Sequence, residues 1–146
     1  MTRNVLQPDG WPRPAGYSYG IAARGQTVFL AGLVGWDADG VFPAGFAAQF
    51  RQTLANIVTV LAEAGARPEH VVRMTWYITD RDAYLAARSE IGAIYRDIMG
   101  GTYPAMAVVQ VAGLVEAEAL IEIEATAVVP VAAAVRQQAV GLRLRD

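Results

Sequence analysis

Between Phe46 and Ala64, apolar side chains recur at steps of three and four (Phe46, Phe50, Leu54, Ile57, Leu61, Ala64). That spacing lines one face of a helix. Gly65, then Pro68, supplies its stop signal. From His70 to Thr79 the period falls to two: Val72, Met74, Trp76 and Ile78 alternate with Arg73, Thr75 and Tyr77, which predicts a half-buried strand. Asp80 or Asp82 can then cap a second helix whose stripe runs Tyr84, Ala87, Ile91, Ile94 and Ile98 and ends at Gly100-Gly101.

The flanks read as strands. The segment Tyr17 to Ala23 and the run Thr27 to Ala31 surround Arg24-Gly25-Gln26, a Gly-containing three-residue link that predicts a hairpin. Two closing strands follow at about Ala105 to Val111 and Ala119 to Val129, where Ile121, Ile123, Ala125 and Ala127 alternate with Glu122, Glu124 and Thr126. The order ββαβαββ implies an α+β layer, with two helices on one face of a mixed sheet. Residues 1–130 make a single domain in this reading. Residues 131–146, small and apolar and then Arg-rich, form an extension that is either a short docked helix or a loose tail.

Composition narrows the function. With 146 residues, 54% of them hydrophobic and only 18% charged, the chain has more apolar surface than one small domain hides, so partner subunits are expected to cover some of it. The formal charge of −2, with scattered arginines, argues against nucleic acid as a partner. No stretch approaches the roughly 20 apolar residues of a membrane span, and Met1 to Asn4 is not followed by an apolar signal core, so neither membrane association nor export is expected and the predicted location is cytoplasmic. There is no cysteine and only one histidine, His70, so thiol chemistry and a histidine metal cluster are unexpected. All twelve basic side chains are arginine, which removes Schiff-base chemistry through lysine, a covalently held pyridoxal group included. No metal or cofactor is expected, and the remaining tools are carboxylates, hydroxyls, arginines, backbone and water.

Four stretches together carry a family resemblance over about residues 14 to 130. They are Ala15-Gly16-Tyr17-Ser18, Phe29-Leu30-Ala31-Gly32, Gln49 through Asn56 with Ala64-Gly65-Ala66 after it, and Tyr103-Pro104-Ala105 followed by Val109, Val111, Leu114 and Ile121-Glu122-Ile123-Glu124-Ala125. In order and spacing they resemble the Rid (YjgF/YER057c/UK114) family of enamine/imine deaminase-like proteins. The resemblance implies a chorismate mutase-like fold, a homotrimer with a central barrel of sheet, and small-molecule clefts at the subunit interfaces.

The same resemblance implies a site and shows where this chain departs from it. The arginine that follows the Pro-Ala pair in typical members, and that binds the substrate carboxylate, is Met106 here; a thioether carries no charge and donates no hydrogen bond. Ala31, beside Gly32, replaces a strand-end serine, and Val108 adds to the apolar character of the implied cleft. Two catalytic positions match: Tyr17, lining the cleft, and Glu122, which positions or activates water. Each has a plainer alternative. Tyr17 can be a strand tyrosine packing its ring at an edge, and Glu122 a solvated carboxylate equivalent to Glu124. Arg88 aligns near a polar cleft position and is a candidate replacement cation; the alternative is a solvated arginine on the outer face of its helix.

Two functions follow. One is hydrolytic deamination of a small enamine or imine, with substrate recognition altered by Met106 and an aminomuconate-type ring-cleavage product as one candidate substrate. The other is a non-catalytic small-molecule binder using the same, more apolar cleft. A ribonuclease label also attached to the family finds no histidine pair or cationic patch in this sequence. Of the remaining candidates, Trp36 and Trp76 read as core or interface aromatics, with Trp36 able to wall the cleft. Asp37-x-Asp39-Gly40 reads as a turn, and His70 as a surface or cap residue.

Overall fold

In the computed structural model, residues 3–131 are described. The predicted extension therefore lies, apart from Val131, outside the described residues. The elements are β1 (Arg3–Leu6), β2 (Gly20–Ala23), β3 (Gln26–Phe29), β4 (Leu33–Val34), α1 (Phe46–Glu63), β5 (Val71–Ile78), α2 (Arg81–Ala86), α3 (Arg88–Met99), β6 (Ala105–Gln110) and β7 (Ile121–Val129), with a 3-10 turn at Pro68–His70.

β7 is the spine of the main sheet. It pairs antiparallel with β5 on one side and, on the other, with β3 and β4 at successive stretches of its length; β5 pairs parallel with β6, which forms the sheet edge. This is the expected α+β architecture with a mixed sheet. The predicted hairpin is corrected, however. β2 pairs with the N-terminal strand β1, and β3 with β7. At Gly25 between them the backbone passes so close to β7 that a Cβ would fall 2.0 Å from the Val129 carbonyl oxygen, so the glycine serves a close approach and not a two-strand turn.

Two further expectations shift. β5 carries an irregularity between Val71 and Arg73, so Val71 rather than Val72 joins Met74, Trp76 and Ile78 in the core. The second helix is two helices, broken at Ala87. Asp80 is the cap of the first piece: its side chain accepts from the backbone N–H groups of Asp82 and Ala83.

The core lies between the sheet and the helices. Phe50, Leu54, Ile57 and Leu61 of α1, with Ile91, Ile94 and Met99 of α3, pack against Met74, Ile78, Ile121 and Ile123. Each fully buried side chain of this size contributes about 1.5–3 kcal/mol. Two buried or half-buried amides on α1 then fix the loops around that core. Gln49 donates to the Glu118 carbonyl (2.9 Å) and accepts from the Leu120 N–H (2.8 Å); Asn56 donates to the carbonyls of Val34 (2.9 Å) and Trp36 (2.8 Å). Among the described residues no helix packs on the opposite sheet face, and Phe29 is 80% exposed. Among the described residues no helix is long and apolar enough to cross a membrane.

Candidate functional site

A cleft of about 420 Å³ opens between the edge strand β6, the α2–α3 pair and residues 15–17. Its mouth is held by Ser18, whose N–H donates to the Pro104 carbonyl (2.9 Å) and whose hydroxyl donates to the Tyr103 carbonyl (2.7 Å). This staple places the neighbouring Tyr17 at the opening. The Tyr17 ring also packs edge-on against Tyr19, centroids 5.8 Å apart, and it precedes β2 rather than standing in a strand.

Aromatic rings run from the core into the cleft wall. Phe50 meets Trp76 at 4.9 Å, Trp76 meets Tyr95 at 6.2 Å, and Tyr95 stacks on Tyr103 at 5.3 Å with an interplanar angle of 14°. Burial pushes the Tyr95 phenol well above its usual range, so it stays protonated. Trp76 is 4% exposed, and its indole N–H has no acceptor among the described residues; such a buried donor is destabilising unless water or a ligand meets it. Met106 and Val108 pair in register with Met74 and Trp76, which turns both toward the helices and into the cleft. Where the resemblance implies an arginine, the wall is apolar.

Positive charge enters from the helix. Arg88, the first residue of α3, lines the cleft, and so does Arg96 two turns later. Among the described residues neither joins an ion pair, and no carboxylate is among the side chains that line the cleft. Both arginines are exposed at their surface, which leaves the guanidinium groups available to an anion.

Glu122 and Gly32 form a separate pair, with the exposed Ala31 next to Gly32 in the chain and absent from the cleft lining. A Cβ built on Gly32 would lie 2.8 Å from the Glu122 carboxyl carbon, so the two residues touch. Glu122 alternates with the fully buried Ile121 and Ile123 and lies opposite Tyr77 in the β5–β7 ladder, on the sheet face that turns away from α1 and α3. Its twin Glu124 is not equivalent to it: Glu124 accepts a 2.6 Å hydrogen bond from the Tyr77 hydroxyl, whereas Glu122 has no such partner among the described residues.

Of the residues singled out from sequence, the structure thus joins Tyr17, Arg88, Met106 and Val108 in one cleft and Gly32 with Glu122 in a second group; Ala31 does not line the cleft. The second group is not part of the first within one chain. Arg96, Tyr84, Tyr95 and Tyr103 line the cleft and were not singled out; the one local signal for Arg96 is Gly92 four residues before it. Trp36 packs on Phe42 (5.7 Å) and does not line the cleft. Asp37 accepts from the N–H groups of Asp39 and Val41 and forms a turn. His70 accepts a 2.9 Å hydrogen bond from the Arg67 N–H and so caps the 3-10 turn. Among the described residues no three His, Cys, Asp or Glu side chains gather as a metal site requires.

Comparison with known proteins agrees with this architecture. The sequence model of the family described as endoribonuclease L-PSP matches residues 12–129. A RutC family protein of Synechocystis is 34% identical, over 89% of this chain and 99% of that protein. The 2-iminobutanoate/2-iminopropanoate deaminase of Rattus norvegicus is 31% identical, over 88% of this chain and 91% of its own. The crystal structure of a protein of unknown function of the conserved Rid family from Yersinia pestis superposes with a TM-score of 0.77 at 37% identity, covering 88% of this chain and all of that one.

Proposed function

Because the chain belongs to the Rid (YjgF/UK114) family, we propose that it is a hydrolytic deaminase of a small, acid-bearing enamine or imine, working in a cleft completed by a second copy of itself. The observation that carries this reading is Arg88: it lines the same cleft as Met106 and returns to the opposite wall the cation that Met106 lacks. An arginine there binds a carboxylate by charge-assisted hydrogen bonds, and the rest of the lining, Tyr103, Met106 and Val108 among it, offers apolar surface to the remainder of a small imine.

The reaction asks little of the protein. Water adds to the imine carbon, its proton passes to nitrogen, and the resulting carbinolamine collapses to a carbonyl with loss of ammonia. A carboxylate that takes the water proton and delivers it to nitrogen serves both steps, with placement supplying much of the rest. Glu122 is the carboxylate for this task, as it is not engaged by a tyrosine as Glu124 is. Since it faces away from its own chain's cleft, it acts in the cleft of a neighbour. A homotrimer in which the sheet face away from α1 and α3 covers the next subunit would bring the two groups together and bury Phe29.

The test supplies freshly generated 2-iminobutanoate and follows ammonia release above the uncatalysed rate. The proposal expects acceleration that falls about 10²-fold or more in Glu122→Gln. No acceleration, together with a melting shift on adding 2-oxobutanoate, would instead identify a small-molecule binder.

A further inference from the structure

Gly92 stands in the interior of α3, between Arg88 and Arg96, at a position where alanine would give a more stable helix. The space a side chain would take there holds the end of Arg96. A Cβ at residue 92 would meet Arg96 Nη1 at 3.3 Å, and no other atom outside the helix within 4 Å. The Arg96 side chain therefore folds back along the helix and rests its guanidinium over the glycine, one turn from Arg88, or about 6 Å along the axis. Two cations on one helical face repel each other, yet among the described residues neither has a carboxylate partner. Such an arrangement is relieved by an anion with two charges.

We propose that Arg88 and Arg96, with Gly92 as the seat between them, form a two-cation clamp that selects dicarboxylic ligands, so that the preferred substrate is the imine of a dicarboxylic 2-oxo acid. One carboxylate engages Arg88 and the other Arg96. This rests on the reading of the cleft as the substrate site, but its test needs no turnover.

Binding of 2-oxoglutarate and of 2-oxobutanoate to the full chain is measured by calorimetry. The clamp predicts that wild type binds 2-oxoglutarate about tenfold more tightly or better, and that Arg96→Gln, a surface change, removes this preference by weakening 2-oxoglutarate. Gly92→Leu, a good helix former that fills the seat, is expected to remove the preference while keeping or raising Tm. Equal affinities in wild type, or a full preference retained in Arg96→Gln, overturn the clamp. Ammonia release by wild type from 2-iminobutanoate and from the imine of 2-oxoglutarate separates the two readings: if both are silent while the binding preference holds, the deaminase reading fails and the clamp stands as a binding site; if release is present while the affinities are equal, the clamp alone fails.

Discussion

Gly32 lies against Glu122 so closely that a side chain at residue 32 would come within 2.8 Å of the carboxyl carbon. The clash would be with the end of a flexible side chain, so Gly32→Ala is expected to fold normally and to push the carboxylate aside. Under the proposed mechanism a displacement of about 1 Å is enough to lower turnover by roughly 10²-fold. Ammonia release alongside an unchanged circular dichroism spectrum checks this; full activity in a folded Gly32→Ala variant would show that the position of Glu122 is immaterial.

The two glutamates of β7 differ in one contact, made by a tyrosine of β5. Tyr77 holds Glu124 at 2.6 Å, whereas the Glu122 carboxylate has no hydrogen-bond partner among the described residues, so the variants Glu122→Gln and Glu124→Gln should differ. The first is expected to lose about 10²–10⁴ in kcat, the range of general acid–base catalysis, and the second only a small factor. Equal losses in the two would remove the reason for choosing Glu122.

Gln49 shows how a family signature can be structural. At 3% exposure it bridges α1 to the loop before β7, using both ends of its amide. Gln49→Leu fills the space but leaves the Leu120 N–H without its acceptor, for a cost of about 1–3 kcal/mol. A thermal melt should show a loss of roughly 3 °C or more, with the ligand affinity of the cleft little changed.

The helix and strand that build the core were legible because their patterns are local. The period of α1 sits in consecutive residues, as does the alternation of β5 apart from its bulge at Val71. Partnerships across the sequence were not. β3 reads as the mate of β2, yet it pairs with Ile121–Val129 about a hundred residues on; Gly25 gives the same local signal for a turn as for a close approach. The break at Ala87 has no glycine or proline to mark it. In the candidate site, the apolar substitution at Met106 was visible, whereas Arg96 looked like any charged residue on an outer helical face. Only the cost of Gly92 in a helix interior pointed to it, and that cost has meaning once its neighbour in space is known.

His70 makes the 3-10 turn sensitive to pH. Burial is the main cause that holds its pKa below the usual 6.5, with Arg67 adding to it and Glu69 opposing, and the neutral ring accepts the Arg67 N–H. A folded-state pKa below the unfolded one means that the unfolded chain binds the proton first. The contribution of this cap is therefore complete above about pH 6.5 and declines as the pH falls through the folded value. Tm measured from pH 7.5 downward should fall with a component that His70→Gln lacks; parallel curves for the two proteins would exclude it.

The proposed replacement of the usual arginine by Arg88 is open to a rescue experiment. Arg88→Gln is expected to raise KM for 2-iminobutanoate by about tenfold or more, because a charge-assisted contact is lost. Met106 occupies the cleft wall opposite, half-buried, where the stem of an arginine could lie on apolar surface with its head toward the ligand. If the cation has only moved from one wall to the other, Met106→Arg added to Arg88→Gln should recover most of the lost affinity. In the Arg88 background the same change adds a third positive charge to the cleft and should give far less benefit, so the two substitutions are strongly non-additive. A folded double variant no better than Arg88→Gln would mean that the two positions do not serve the same carboxylate.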